Sequence, residues 1–218
     1  MRKIGEGYHY SVYDLGNNRV LKRQKKKWRV LLYILFVNCF LPRTVREYKN
    51  ALRNIEETKY VYKGIQERFA DLKLFGHPVF LQGIDYEQDK VTIFKKALLI
   101  ETDESIKLYI HKYIQSIHKL WRRGCHEKVF NFTINTGIEK DGTIVLIDFN
   151  EISFDKEDAR KDILNQTWKH RWSYTHLRLL LSSREIQDFY QRRMEEELTT
   201  EKLESLWEIG LREVNISK

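Results

Sequence analysis

Four consecutive apolar residues, Ile144-Val-Leu-Ile147, stand between a Lys-Asp-Gly turn at 140–142 and Asp148. A run this short, rich in β-branched residues and bounded on both sides, is the pattern of a buried strand. The turn folds the chain back, so residues 135–150 read as a β-hairpin whose partner strand opens at Asn135. Asp148 then stands at a strand end, and Asn135, thirteen residues earlier, returns beside it. An Asn and an Asp converging in this way offer hard oxygen ligands suited to Mg2+. Asp-Gly hairpins also serve as plain scaffolding, and an Asp at a strand end often caps the next element. The meaning of this one depends on the rest of the chain.

The length of 218 residues allows one domain or two small lobes. Few prolines and glycines, 2 and 10, argue against disorder. The 39 Lys and Arg exceed the 31 Asp and Glu, a net charge of +8 that suits an anionic partner: nucleotide, nucleic acid, phospholipid surface or acidic protein. Cys39 and Cys125 are isolated and lack zinc-ligand spacing, which points to a reduced, cytoplasmic protein. The N-terminus, Met-Arg-Lys-Ile-Gly-Glu-Gly, carries no apolar signal core. One segment stands apart. Lys25, Lys26, Lys27, Trp28 and Arg29 precede an apolar run from Val30 to Leu41. The run is well short of the roughly 20 residues that span a bilayer. It reads as a core element behind a solvated charge run, or as a surface that docks an acidic substrate or the inner face of an anionic membrane.

Residues 2–24 predict three short strands, with a tight turn at Ile4–Gly7 and a hairpin turn at Gly16-Asn-Asn18. Residues 44–69 predict a long polar helix with Val45, Tyr48, Leu52, Ile55 and Tyr62 near helical spacing. Residues 79–84 and 91–94 predict strands joined by a polar turn over Asp85–Lys90. Ile106, Ile110, Ile114, Ile117 and Trp121 mark an amphipathic helix over 103–123, capped by Thr102 or Asp103 and stopped by Gly124. Further helices are predicted at 156–168, 174–181, 183–198 and 200–214. The fold class is therefore α+β: a β-rich first part with one long helix, over 1–100, then a mainly helical part with one hairpin, over 101–218.

That order resembles the bilobal layout of the protein-kinase superfamily, and local motifs fall in matching places over roughly residues 1–150. Ile4-Gly5-Glu6-Gly7-Tyr8-His9-Tyr10-Ser11-Val12 is similar to the kinase Gly-rich loop, with Ser11 in place of the third glycine. Val20-Leu21-Lys22 resembles the strand that presents the phosphate-binding Lys, and Glu47 in the following helix stands where its carboxylate partner is expected. Asn135 and Asp148 then correspond to the two metal ligands. The resemblance implies ATP and Mg2+ as cofactors.

The chain departs from the pattern in its catalytic loop. Counting back from Asn135, the catalytic Asp falls on Phe130, which accepts no proton. Asn131 is one residue away and can orient a hydroxyl, while His126 and Glu127 lie just upstream as substitutes. A rival register makes Asn131 the metal-binding Asn and puts His126 at the base position. Asp148-Phe149 is followed by Asn150 rather than Gly, and no Ala-Pro-Glu motif follows. The resemblance is thus to compact atypical members, of the RIO, lipopolysaccharide-kinase and small-molecule phosphotransferase types. It implies a phosphotransferase or, given Phe130, a pseudokinase that binds nucleotide as an interaction module. A third reading is a nucleic-acid binder that stacks bases on Trp168, Trp172 and Tyr174, interleaved with Lys169, His170 and Arg171.

Overall fold

Residues 2–24 form the three strands their sequence predicts: β1 (Arg2–Glu6), β2 (Tyr10–Asp14) and β3 (Arg19–Gln24). The computed structural model describes residues 1–7, 9–37, 43–148, 151–181 and 184–216. The protein is α+β, with small antiparallel sheets and many helices. It divides into two compact units, one of residues 1–66 and 76–90, the other of residues 67–75 and 91–218.

In the first unit, α1 (Lys27–Val37) and α2 (Arg43–Arg68) follow the three strands, and β4 (Val79–Phe80) and β5 (Tyr86–Asp89) complete a five-stranded antiparallel sheet of order β1-β2-β3-β5-β4. Two expectations are corrected here. The turn proposed at Ile4–Gly7 comes later: β1 runs through Glu6, and the Gly7 amide closes the turn by donating to Tyr10 O at 2.8 Å. The polar turn proposed over Asp85–Lys90 is mostly strand β5, paired with β3 from Arg19↔Asp89 to Lys22↔Tyr86. Its buried positions are Tyr86 and Gln88, so its alternation is real but largely invisible to a reading of apolar residues.

Helix α2 is amphipathic over the sheet. It buries Ile55, Val61, Tyr62 and Ile65, and Tyr62 and Tyr10 share a hydrogen bond at 2.7 Å. Tyr86 meets both rings edge-on, at 5.6 Å from Tyr10 and 5.5 Å from Tyr62. Such pairs add about 0.5–1.5 kcal/mol beyond area burial. Helix α1 turns Val30 and Ile34 inward against Tyr48 of α2. The segment from Asn38 to Pro42, including Cys39, lies outside the described residues. Among the described residues no helix is long and apolar enough to cross a membrane.

From residue 91 on, the second unit holds β6 (Thr92–Ile93) and α3 (Phe94–Ala97), where Phe94 starts a helical turn rather than ending a strand. Helix α4 (Asp103–Trp121) follows with the predicted face buried, capped by Thr102 Oγ1 accepting from the Ser105 amide at 3.3 Å. Then come β7 (His126–Glu127), α5 (Phe132–Asn135), β8 (Thr136–Ile138), β9 (Ile144–Leu146) and β10 (Ile152–Ser153). Helices α6 (Lys156–Leu164), α7 (Trp172–Leu181), α8 (Arg184–Glu197) and α9 (Thr200–Ile216) complete it. The core is aromatic: Phe132 lies 4.8 Å from both Phe94 and Tyr190 and 5.1 Å from Tyr113.

Candidate metal and nucleotide site

The hairpin forms where its sequence places it. Strands β8 and β9 pair antiparallel from Thr136↔Leu146 to Ile138↔Ile144. Gly142 takes the left-handed angle the turn requires, with φ +76°, and its carbonyl accepts from Lys112 Nζ at 2.6 Å. Asn135 does not begin the partner strand, as expected from sequence. It ends the helical turn α5, its amide donating to Asn131 O at 2.7 Å, and its carbonyl accepts from the Ile147 amide at 2.8 Å. That last bond extends the ladder by one rung and brings Asn135 opposite the residue before Asp148.

Three carboxylates gather at this end of the hairpin. Asn135, itself buried, donates from Nδ2 to Glu151 Oε2 at 3.0 Å. The Glu151 carboxyl is raised to about 7, by burial first and then by Asp148, against the Asn135 bond and the Arg171 and Lys128 charges, which lower it. Glu127 comes from β7, which pairs with β10 through Ile152↔Glu127 and Ser153↔His126. Only 2% exposed, Glu127 accepts from Tyr113 Oη at 2.8 Å through Oε2. Its carboxyl is also raised to about 7, by burial first, against the Tyr113 bond, with Glu151 and Asp148 adding to the rise.

Three buried oxygens here have no hydrogen-bond partner among the described residues: Glu127 Oε1, Asn131 Oδ1 and Asp148 Oδ1. Unpaired buried acceptors are costly, about 1–3 kcal/mol each. Carboxylates beside one another raise that cost further. An oxygen-only donor set of this kind fits a hard divalent cation such as Mg2+. Asn135, Asp148 and Glu151 are the residues here that could hold one. Glu151 is absent from the sequence-based candidates. Its only signal was its place three residues after Asp148, ahead of an Ile-Ser pair too short to read as a strand.

The other catalytic-loop candidates have different settings. Both ring nitrogens of His126 are engaged: Nδ1 accepts from Trp121 Nε1 at 3.4 Å, and Nε2 donates to Asp162 Oδ2 at 2.9 Å. That fixes its tautomer and ties β7 to α4 and α6. Phe130 is fully buried at φ +48°, edge-on to His126 at 5.3 Å and to Trp168 at 5.8 Å. A non-glycine residue in this region costs on the order of 1–3 kcal/mol, which its burial offsets.

In the first unit, Gly5 and Ser11 lie on β1 and β2, with Gly5 paired to Val12 beside a register irregularity in β1. Lys22 is buried on β3 between Val12 and Tyr86, its ammonium 5.2 Å from the Tyr86 ring centre. Glu47 falls on α2; its side chain lies outside the described residues, as do Phe149 and Asn150. Lys25 leaves the basic cluster expected from sequence, because it is buried and pairs with Glu6 at 2.8 Å. Of the aromatic set proposed to stack bases, Trp168 is buried, Tyr174 donates to Gln191 at 2.8 Å, and Trp172 alone is largely exposed. No family model and no curated protein matches this chain.

Proposed function

We propose that this chain is an ATP- and Mg2+-dependent phosphotransferase of protein-kinase-like, bilobal type. The observation that carries the reading is the oxygen cluster at the end of the β8–β9 hairpin, where Asn135 and Glu151 are bonded and Asp148 Oδ1 has no partner among the described residues. In this reading Asn135, Asp148 and Glu151 hold the metal, which neutralises phosphate oxygens when bound. Gly5, Gly7 and Ser11 supply small residues that let backbone amides approach the phosphates. Lys22 acts as a point charge on them, and Glu47 orients it. Asn131, whose buried Oδ1 has no partner among the described residues, orients the acceptor hydroxyl. Glu127 is too buried to touch an acceptor and acts on the charge of the cluster.

A second reading, a pseudokinase that binds nucleotide without useful turnover, is favoured by Phe130. A buried ring stands where the resemblance calls for a proton acceptor. General-base assistance is worth about 10²–10⁴ in rate. Its loss leaves positioning and charge neutralisation, so slow transfer and none are separated only by assay.

The test is thermal denaturation with ATP, with and without Mg2+. A ligand at 100 times its Kd stabilises by about 2.7 kcal/mol. The melting temperature is expected to rise with millimolar Mg-ATP, and the metal-dependent part should vanish in Asp148→Ala. No rise in the wild-type chain overturns both readings. Turnover of labelled ATP that disappears in Lys22→Ala then separates enzyme from pseudokinase.

A further inference from the structure

Helix α1 has two apolar faces, and only one of them is used by the fold. Val30 and Ile34 are fully buried against Tyr48. Trp28, Leu32 and Phe36 are 53%, 54% and 82% exposed. Successive helical residues are rotated by about 100°, so residues spaced by four form a stripe within about 80° of arc. That stripe lies about 180° from the Val30–Ile34 direction. Large apolar residues at three consecutive i, i+4 positions on the outer face are not the scattered exposure of ordinary surfaces.

The charge around the stripe is one-signed. No Asp or Glu occurs between Asp14 and Glu47, and that interval holds nine Lys and Arg. Lys22 and Lys25 are turned into the first unit, whereas Lys26, Lys27 and Arg29 are exposed around the N-terminal end of the helix, with Arg29 flanking the stripe. Arg29 sits 5.2 Å from the Trp28 ring, a cation held over an aromatic face. Helix α1 has no acidic residue in its first turn, so Lys27 sits at the end where the helix dipole disfavours a cation. Local helix stability does not account for that placement.

We propose that the outer face of α1 is a docking surface for an anionic lipid bilayer. It lies in the plane of the interface, with Trp28, Leu32 and Phe36 below the headgroups and Lys26, Lys27 and Arg29 among them. A Trp at the end of the apolar stripe suits the headgroup boundary, and cations on flexible stems reach anionic headgroups while their stems stay apolar. The eleven-residue helix is too short to span a bilayer, so it binds on the surface. The proposal is independent of the phosphotransferase reading.

The full chain is to be mixed with vesicles of phosphatidylcholine alone, or of phosphatidylcholine with about one third phosphatidylserine, and the bound fraction measured by sedimentation. Each basic residue near an anionic surface contributes about 1 kcal/mol, or roughly fivefold in affinity. Binding is expected to the anionic vesicles and to fall with added salt. Lys26→Glu with Lys27→Glu should weaken it more than twentyfold, and Leu32→Ser or Phe36→Ser more than tenfold. Circular dichroism melts of these exposed-site variants should match the parent. Absence of binding, or equal affinity for both vesicle types, overturns the proposal. So does a dimer in solution that Phe36→Ser dissociates, because the stripe would then face a second copy. Capture of an acidic peptide that excludes vesicles overturns it equally.

Discussion

Glu6 and Glu127 carry the same side chain and are driven in opposite directions. In the first unit, Glu6 sits at the end of β1 between Lys25 and Lys3, and those bonds hold its carboxyl down at about 2. In the second unit, Glu127 is buried with a single donor and two carboxylates for neighbours, and it rises to about 7. The sheet unit settles its charges in opposite pairs, Arg19–Asp89 at 2.9 Å and Lys90–Asp14 at 2.6 Å among them. The second unit pairs charges too, Lys156–Glu204 at 2.6 Å among them. At the end of its hairpin, however, it sets Glu127, Asp148 and Glu151 near one another and leaves Glu127 Oε1 and Asp148 Oδ1 without a partner among the described residues. The first arrangement suits stability; the second costs stability and suits a ligand that supplies positive charge.

The contrast can be broken in several places. Glu127→Gln should have the largest effect. A carboxyl raised from 4.5 to about 7 on folding stabilises the fold below pH 4.5, and that contribution is lost as pH rises through 7. The wild-type chain should therefore be less stable at pH 8 than at pH 5, with about 3 kcal/mol of the difference due to Glu127. Removing the charge should raise the melting temperature at pH 8 and leave it nearly unchanged at pH 5. Equal melting temperatures of variant and parent across that range would show that Glu127 is not held under strain.

Gly137→Ala tests the hairpin itself. A Cβ there would stand 2.1 Å from Val91 Cγ2 and 3.3 Å from Ile147 Cγ2, so Val91 must move. Overpacking of this kind costs about 1–3 kcal/mol. The loss should appear in denaturant melts, together with weakened metal-dependent nucleotide binding if β8 positions Asn135. Tyr113→Phe comes next. It removes the only side-chain hydrogen bond of Glu127 among the described residues and should cost about 1–2 kcal/mol, more at pH 8 than at pH 5, where the acceptor is largely neutral. Glu6→Gln should do least. Glu6 is exposed and screened by solvent, and the Gln amide oxygen can still accept from the buried Lys25, so the loss should stay within about 1 kcal/mol at low salt and shrink at high salt. A Glu6 effect as large as that of Glu127 would erase the contrast between the two units.

Where periodicity is carried by apolar residues, the sequence was legible. Helix α4 follows its Ile106–Ile110–Ile114–Ile117 spacing, and β9 follows Ile144–Leu146. Strand β5 was not, because Tyr-Glu-Gln-Asp alternates between an aromatic, an amide and two acids, and only pairing with β3 shows which face is buried. Within the candidate site, Asn135 and Asp148 were legible from their places at the two ends of one hairpin. Glu151 was not, because its environment depends on β7 and β10, a ladder of two residue pairs with no pattern long enough to detect. The partners of His126 and Lys25 were hidden for the same reason. Asp162 lies 36 residues from His126, and Glu6 lies on a different strand from the Lys25 cluster.

The backbone beside the carboxylates offers a clock. The Ile147 amide is bonded to Asn135 O at 2.8 Å, and the Lys128 amide to Glu151 O at 3.1 Å. Each bond must break before its proton can exchange with deuterium, and each spans the two segments that carry the site's oxygens. Their exchange times therefore report how often those segments part. A cation bridging them should lengthen both times together, while the amides of the β1–β3 sheet keep their own pace.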